Sequence, residues 1–200
     1  MNLDQLKVEL NSLSEIIYFD QNNYLREKTS NPTKLKHLIL DAEKIVKHLS
    51  EDDLKNQDTL YFLYGTLGNL YRIYGEPAKA INYLQLALEQ SVVNKNSKRE
   101  IVSLIRLGEA LKYDNKHKEA LDLFQNALWK SRDAKDSYLD YIYQHQGKCL
   151  LEMGKIEEAL NCLGQALEIR KLKEDASLIH STQLAIECGK RIKFPNYFNS

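Results

Sequence analysis

The chain has 200 residues, 43% hydrophobic and 28% charged, a balance that excludes a disordered chain and fits one domain or one short repeat array. Lys plus Arg is 28 and Asp plus Glu is 28, so the formal net charge is zero and nothing global draws the chain to nucleic acid or anionic lipid. With 3 Pro and 8 Gly the chain is poor in the turn residues of a β-rich fold, and no apolar run approaches a membrane span.

Taken in chain order, residues 3–18 place Leu3, Leu6, Val8, Leu10, Leu13, Ile16 and Ile17 in a predicted helix, and residues 19–30 form a connecting loop. Ser30-Asn31-Pro32 is a helix-start signal, with Asn31 as cap and Pro32 at the first helical position. The helix after it, roughly 32–49, carries Leu35, Leu38, Ile39, Ala42, Ile45, Val46 and Leu49 on a broad apolar face. Residues 1–56 are therefore expected to be N-terminal helices. Residues 1–60 hold 8 Lys plus Arg against 11 Asp plus Glu, so this part has no basic recognition helix.

From residue 57 the chain repeats itself. Three segments align without gaps on Gly68, Gly108 and Gly147. Twelve residues after each glycine stands Ala80, Ala120 or Ala159, sixteen after stands Leu84, Phe124 or Leu163, and nineteen after stands Ala87, Ala127 or Ala166. Leu88, Leu128 and Leu167 come next; Tyr64, Leu104 and Tyr143 precede the glycine by four, and Tyr71, Leu111 and Leu150 follow it by three. Positions −4, 0 and +3 share one helix face and +12, +16 and +19 share another, so each unit is two packed helices. Small residues at the crossing let the backbones approach, and the large ones fill the space beside them. Gly75, Asn115 and Gly154 fall in the turns between the paired helices, where a left-handed residue ends a helix, and Pro77 suits the first turn after. Trp129 follows an inward leucine and is expected to pack between units.

These residues resemble the tetratricopeptide repeat, whose pattern of an aromatic, Leu-Gly, Tyr, a turn, Ala, a large apolar residue and Ala reads here as Tyr64, Leu67-Gly68, Tyr71, Ala80, Leu84 and Ala87. The second copy reads Leu104, Leu107-Gly108, Leu111, Ala120, Phe124, Ala127, and the third Tyr143, Gln146-Gly147, Leu150, Ala159, Leu163, Ala166. The resemblance implies an all-α fold, a right-handed superhelix of antiparallel helix pairs, with units at 57–96, 97–135 and 136–173. The helices of 1–56 are then expected to be a degenerate leading unit. The chain departs from the family in two ways. The proline after the second helix is missing from every copy, and the glycines are 40 and 39 residues apart instead of about 34. Such long units are similar to those of bacterial peptide-sensing regulators and kinesin-light-chain-like repeats. A capping helix is expected over 174–193, because Cys188-Gly189 and Ile192 echo the start of a fourth unit, with residues 194–200 as a tail.

No glycine-rich phosphate loop, nucleophile elbow or His-Glu-x-x-His is present. The five histidines are scattered, with His145 on the first helix of the third unit as a surface or groove residue. Cys149, Cys162 and Cys188 lack metal-ligand spacing and read as reduced thiols; Met1-Asn2-Leu3-Asp4 is no signal peptide, so a cytoplasmic protein is the default. No enzyme, cofactor or metal is expected.

The resemblance implies that ligands lie along the first helices. The residues at −6, −3, +1 and +4 from each glycine form the stripe beside the packing face. The expected partner-binding groove is Phe62, Asn69, Arg72, Ile105, Glu109, Lys112, Tyr141, Gln144 and Lys148, with an apolar rim of Phe62, Val102 and Tyr141. An extended peptide would set an apolar side chain at the rim and an acidic group near Arg72 and Lys112. Two readings of the rim stand side by side: partner contact, or cover by the N-terminal helices. The expected role is a protein- or peptide-binding adaptor or scaffold, with a peptide-responsive regulator as the alternative, and with neither nucleic acid nor membrane as partner.

Overall fold

Nine α-helices account for most of the described residues of the computed structural model, which are 1–50, 56–132 and 138–193. The tail expected over 194–200 and the proposed unit boundary at 135/136 lie outside them. Helix α1 spans Leu3–Asn11, where Asn2 and Gln5 close a capping box. It does not reach residue 18 as the sequence pattern suggests. Ser12 turns its hydroxyl back onto the Glu9 carbonyl at 2.8 Å, a 3-10 turn comes next over Ser12–Glu15, and the chain becomes extended.

Strands β1 (Ile17–Asp20) and β2 (Arg26–Thr29) form an antiparallel hairpin where a loop was expected. The Ile-Tyr-Phe run of β1 is β-branched and aromatic, which favours a strand over a helix. The polar run Asp20-Gln21-Asn22-Asn23 turns the chain, with Asp20 Oδ1 accepting from the Asn22 N–H at 3.1 Å. Helix α2 (Pro32–Lys47) starts as expected, its Asn31 cap accepting from the Lys34 N–H at 2.9 Å.

The repeats then run as α3 (Gln57–Tyr74) with α4 (Pro77–Val93), α5 (Ser97–Tyr113) with α6 (His117–Ser131), and α7 (Leu139–Glu152) with α8 (Ile156–Leu172). Helix α9 (Ala176–Lys193) packs on α8. The alanines at +12 and +19 are all buried. At each repeat glycine a Cβ would collide with the large residue sixteen positions on: with Leu84 at Gly68, with the Phe124 ring 2.6 Å from a Cβ at Gly108, and with Leu163 2.7 Å from a Cβ at Gly147. Gly75, Asn115 and Gly154 have φ of 93°, 59° and 74°, the left-handed values their turns require. The protein is thus an all-α repeat array of antiparallel helix pairs. A further expectation fails: Trp129 is 64% exposed, with Lys130 across its ring, and does not pack between units.

Candidate functional site

The first helices of successive units touch one another, α3 with α5 and α5 with α7, and so form one layer of the array. The hairpin lies across the C-terminal ends of these three helices. The Arg26 guanidinium is bidentate to Glu152 on α7, at 3.0 and 2.6 Å. It also donates to the Lys112 and Tyr113 carbonyls at the end of α5, at 3.0 and 3.3 Å, the first of which also accepts from the Asn115 N–H. Glu27 pairs with Arg72 at the end of α3 and donates its backbone N–H to Tyr113 Oη at 2.5 Å. Leu25 is buried among Leu150, Leu151, Ala185 and Cys188, and Lys148 Nζ donates to its carbonyl at 2.8 Å. Tyr24 and Leu25 both have positive φ, 51° and 58°, an uncommon and strained backbone for residues of this size, which these contacts hold in place.

Beside the hairpin, toward the N-terminal ends of α5 and α7, is a cavity of about 490 Å3, within the size range of ligand sites. Seven of the nine expected groove residues border it: Asn69, Arg72, Ile105, Glu109, Tyr141, Gln144 and Lys148. The two others are elsewhere. Phe62 is half-buried against the core with Lys7 of α1 5.8 Å from its ring, so the N-terminal helices cover that end of the rim. Lys112 is fully buried, 3.7 Å from Glu152. Val102 and Tyr141 of the same rim face the cavity.

The charged members are far more enclosed than their stripe position suggests. Arg72, Glu109, Lys112 and Lys148 are all buried. Periodicity marks these positions as outside the helix-pair contact, but the hairpin supplies a second surface that covers them. Arg72 sits between Glu27 and Glu109, with its guanidinium 4.8 Å from the centre of the Tyr113 ring; burial disfavours its charge, but the two carboxylates outweigh that and raise its pKa. Burial raises the Glu109 carboxyl, and Arg72, His145, Lys112 and Lys148 together hold it well below the usual range. Burial pushes His145 down to about 4 despite Glu109 3.5 Å away. Burial, then Lys112, brings the Lys148 ammonium down to about 8.

Residues not singled out as site members in the sequence complete the cavity: Phe19 and Glu27 from the hairpin, Arg106, Tyr138, and Leu178 and Ser181 from α9. The hairpin residues carry a legible signal, an Ile-Tyr-Phe run and an alternating Arg-Glu-Lys-Thr run around a polar turn. Their placement along the first helices has none. Arg170 and Asp140, both buried, pair at 3.1 Å, and Arg170 also donates to Thr182 and to the Leu178 carbonyl, pinning α9 over the third unit. Among the described residues no cluster of His, Cys, Asp or Glu is arranged to hold a metal, and no helix is long and apolar enough to cross a membrane.

Tetratricopeptide-repeat models match residues 59–129 and 141–171, together half of the chain and including the three repeat glycines. The chain belongs to the tetratricopeptide-repeat family. No curated protein sequence matches it. Among solved structures, the tetratricopeptide-repeat domain of Arabidopsis FLU is similar at 25% identity and a TM-score of 0.52, over 60% of this chain and 99% of that one. Nearly identical repeats from a Podosopora anserina protein described as a kinesin light chain share the fold at 12% identity and a TM-score of 0.62, over 97% of this chain and 87% of that one. A Rap protein complexed with Competence and Sporulation Factor gives 16% identity and a TM-score of 0.66, over 93% of this chain and 48% of that one. The last two extend the likeness beyond the family models to the N-terminal region and α9, as fold alone. The family's repeats supply an interaction surface.

Proposed function

We propose that this tetratricopeptide-repeat protein is a non-enzymatic, cytoplasmic adaptor or scaffold that holds a segment of a partner protein against the first-helix layer, beside the hairpin. The observation that carries this reading is the cavity itself. It gathers residues from all three units, has apolar walls and convergent polar groups, and opens to solvent at half-exposed Tyr141. The family's repeats supply surfaces for partners, which favours binding over catalysis.

A partner identified by affinity capture tests it. Arg106→Glu with Tyr141→Ala should weaken that partner at least about tenfold. Lys118→Ala with Asp122→Ala, on the outer face, should leave it unchanged. Equal affinity for both variants and the parent would remove the cavity from consideration.

A peptide-responsive regulator is the second reading, favoured by the hairpin's position. It ties α3, α5 and α7 together through Glu27, Arg26 and Leu25, so a ligand that shifts it acts on all three units. Under this reading a bound ligand changes amide exchange in residues 17–29. Ligand protection confined to the cavity would leave the adaptor reading alone.

A further inference from the structure

We propose that the cavity takes a short acidic segment of the partner, with a carboxylate between Arg106 and Lys148, a backbone N–H given to Gln144, and an adjacent apolar side chain against Phe19, Ile105 and Tyr141. This rests on the reading of the cavity as a binding site and names the chemistry of its ligand.

The first support is charge. Four cations border the cavity, Arg72, Arg106, Lys148 and Arg170, against two carboxylates, Glu27 and Glu109. Both carboxylates are taken by Arg72, and Arg170 is satisfied by Asp140. Among the described residues, neither Arg106 nor Lys148 has an ion-pair partner. Arg106 is exposed, and its Nη1 lies 3.0 Å from where a Cβ on Gly65 would be, so the missing side chain there leaves room for the guanidinium over α3. Lys148 is buried, and its ammonium is held low for a lysine. An anion beside it offsets the cost of that burial.

The second support is independent of charge. Gln144 is 4% exposed, and its Oε1 is buried with no hydrogen-bond partner. A buried acceptor of this kind calls for a donor. A peptide brings N–H donors together with a carboxylate, whereas a phosphate ester brings acceptors. The third support is the apolar wall. Phe19 comes from the hairpin, so the docked hairpin builds the site and does not merely compete for it.

The test uses the full chain and three classes of short, labelled synthetic peptides with blocked termini. Each carries a Phe or Leu next to Glu, Gln or Lys, and binding is read by fluorescence anisotropy. The Glu class should bind about tenfold or more tighter than the Gln and Lys classes, with an affinity that falls as salt rises. Arg106→Glu should abolish that preference, and Arg106→Lys should retain most of it. Phe19→Ala should weaken the Glu class severalfold; circular dichroism on each variant confirms that it is folded. Equal binding of the three classes, or a preference that survives Arg106→Glu, overturns the acidic ligand while leaving a groove that binds peptides. Binding by peptides that responds only to the outer-face variant overturns the groove reading as well. Failure of all three classes to bind overturns this inference, and the captured partner then decides the groove reading separately.

Discussion

At the scale of single residues, the repeat rests on contacts in which a missing side chain matters as much as a present one. Gly108 leaves space that the Phe124 ring fills, with a Cβ there coming within 2.6 Å of the ring. Gly108→Ala gains helix propensity but forces that ring to move, so it should cost about 1–3 kcal/mol in urea unfolding. Adding Phe124→Leu should recover part of the loss; a strictly additive double variant would show that the two residues do not share the space. His145 allows a second prediction. Its folded pKa of about 4 lies below its ordinary 6.5, because burial disfavours the imidazolium. As pH falls below 6.5 the unfolded chain takes up the proton first, so stability is complete above 6.5 and declines until pH passes 4. The loss at pH 5 relative to pH 7.5 should be about 2 kcal/mol. In His145→Gln this part of the acid limb should vanish, and an unchanged pH profile would mean that the ring already titrates as if exposed.

At the scale of elements, the hairpin is held by polar contacts at its tip and by apolar contacts of Leu25, which is buried, and of Ile17 and Tyr24, which are partly buried. Arg26 joins the ends of α5 and α7 while Glu152 also accepts from His117 at 2.9 Å. Removing Arg26 takes the bidentate donor from buried Glu152, which keeps only His117 and Lys112 beside it, and takes the side-chain donor from the Tyr113 carbonyl. Arg26→Ala should therefore destabilise by about 3 kcal/mol and speed amide exchange over residues 17–29 more than in α4 or α6. Uniform acceleration across the chain would mean that the hairpin unfolds only with the whole array. The helix pairs themselves are legible from residues: alanine at fixed intervals, a glycine or asparagine at each left-handed turn, and a proline at the start of α4. The left-handed residues Lys95 and Glu174, which end α4 and α8 with φ of 51° and 57°, give no such signal, because lysine and glutamate are ordinary helix formers.

At the scale of the whole molecule, stability is shared between neighbours. Helix α9 covers the third unit through Gly189 against Leu151 and Leu160, through the Arg170–Thr182 hydrogen bond at 2.7 Å, and through Ala185 and Cys188 around the buried Leu25. Ending the chain at Asp175 should uncover α8, unseat the hairpin tip and leave Arg170 short of acceptors. The expected result is a broadened, less cooperative thermal transition or aggregation. A soluble truncation with the parent's midpoint would show that α9 does not stabilise the array.

The sequence by itself determined the helix pairs, their register and the strip of residues that faces away from the pair contacts. These come from local periodicity, and small and large residues recur at fixed distances along one chain. It did not reveal that Trp129 is exposed, since an indole after an inward leucine fits either face. Nor did it reveal that Arg72, Lys112 and Lys148 are buried. Those residues lie on α3, α5 and α7, and they are covered by a hairpin far earlier in the chain, as in the Lys148–Leu25 hydrogen bond. Periodicity along a helix reports which side meets its paired helix; it carries no information about a distant segment that docks through individual ion pairs and a few apolar side chains. The tertiary structure therefore decided which part of the groove the chain fills for itself, and which part, beside Phe19, Arg106 and Gln144, it leaves open.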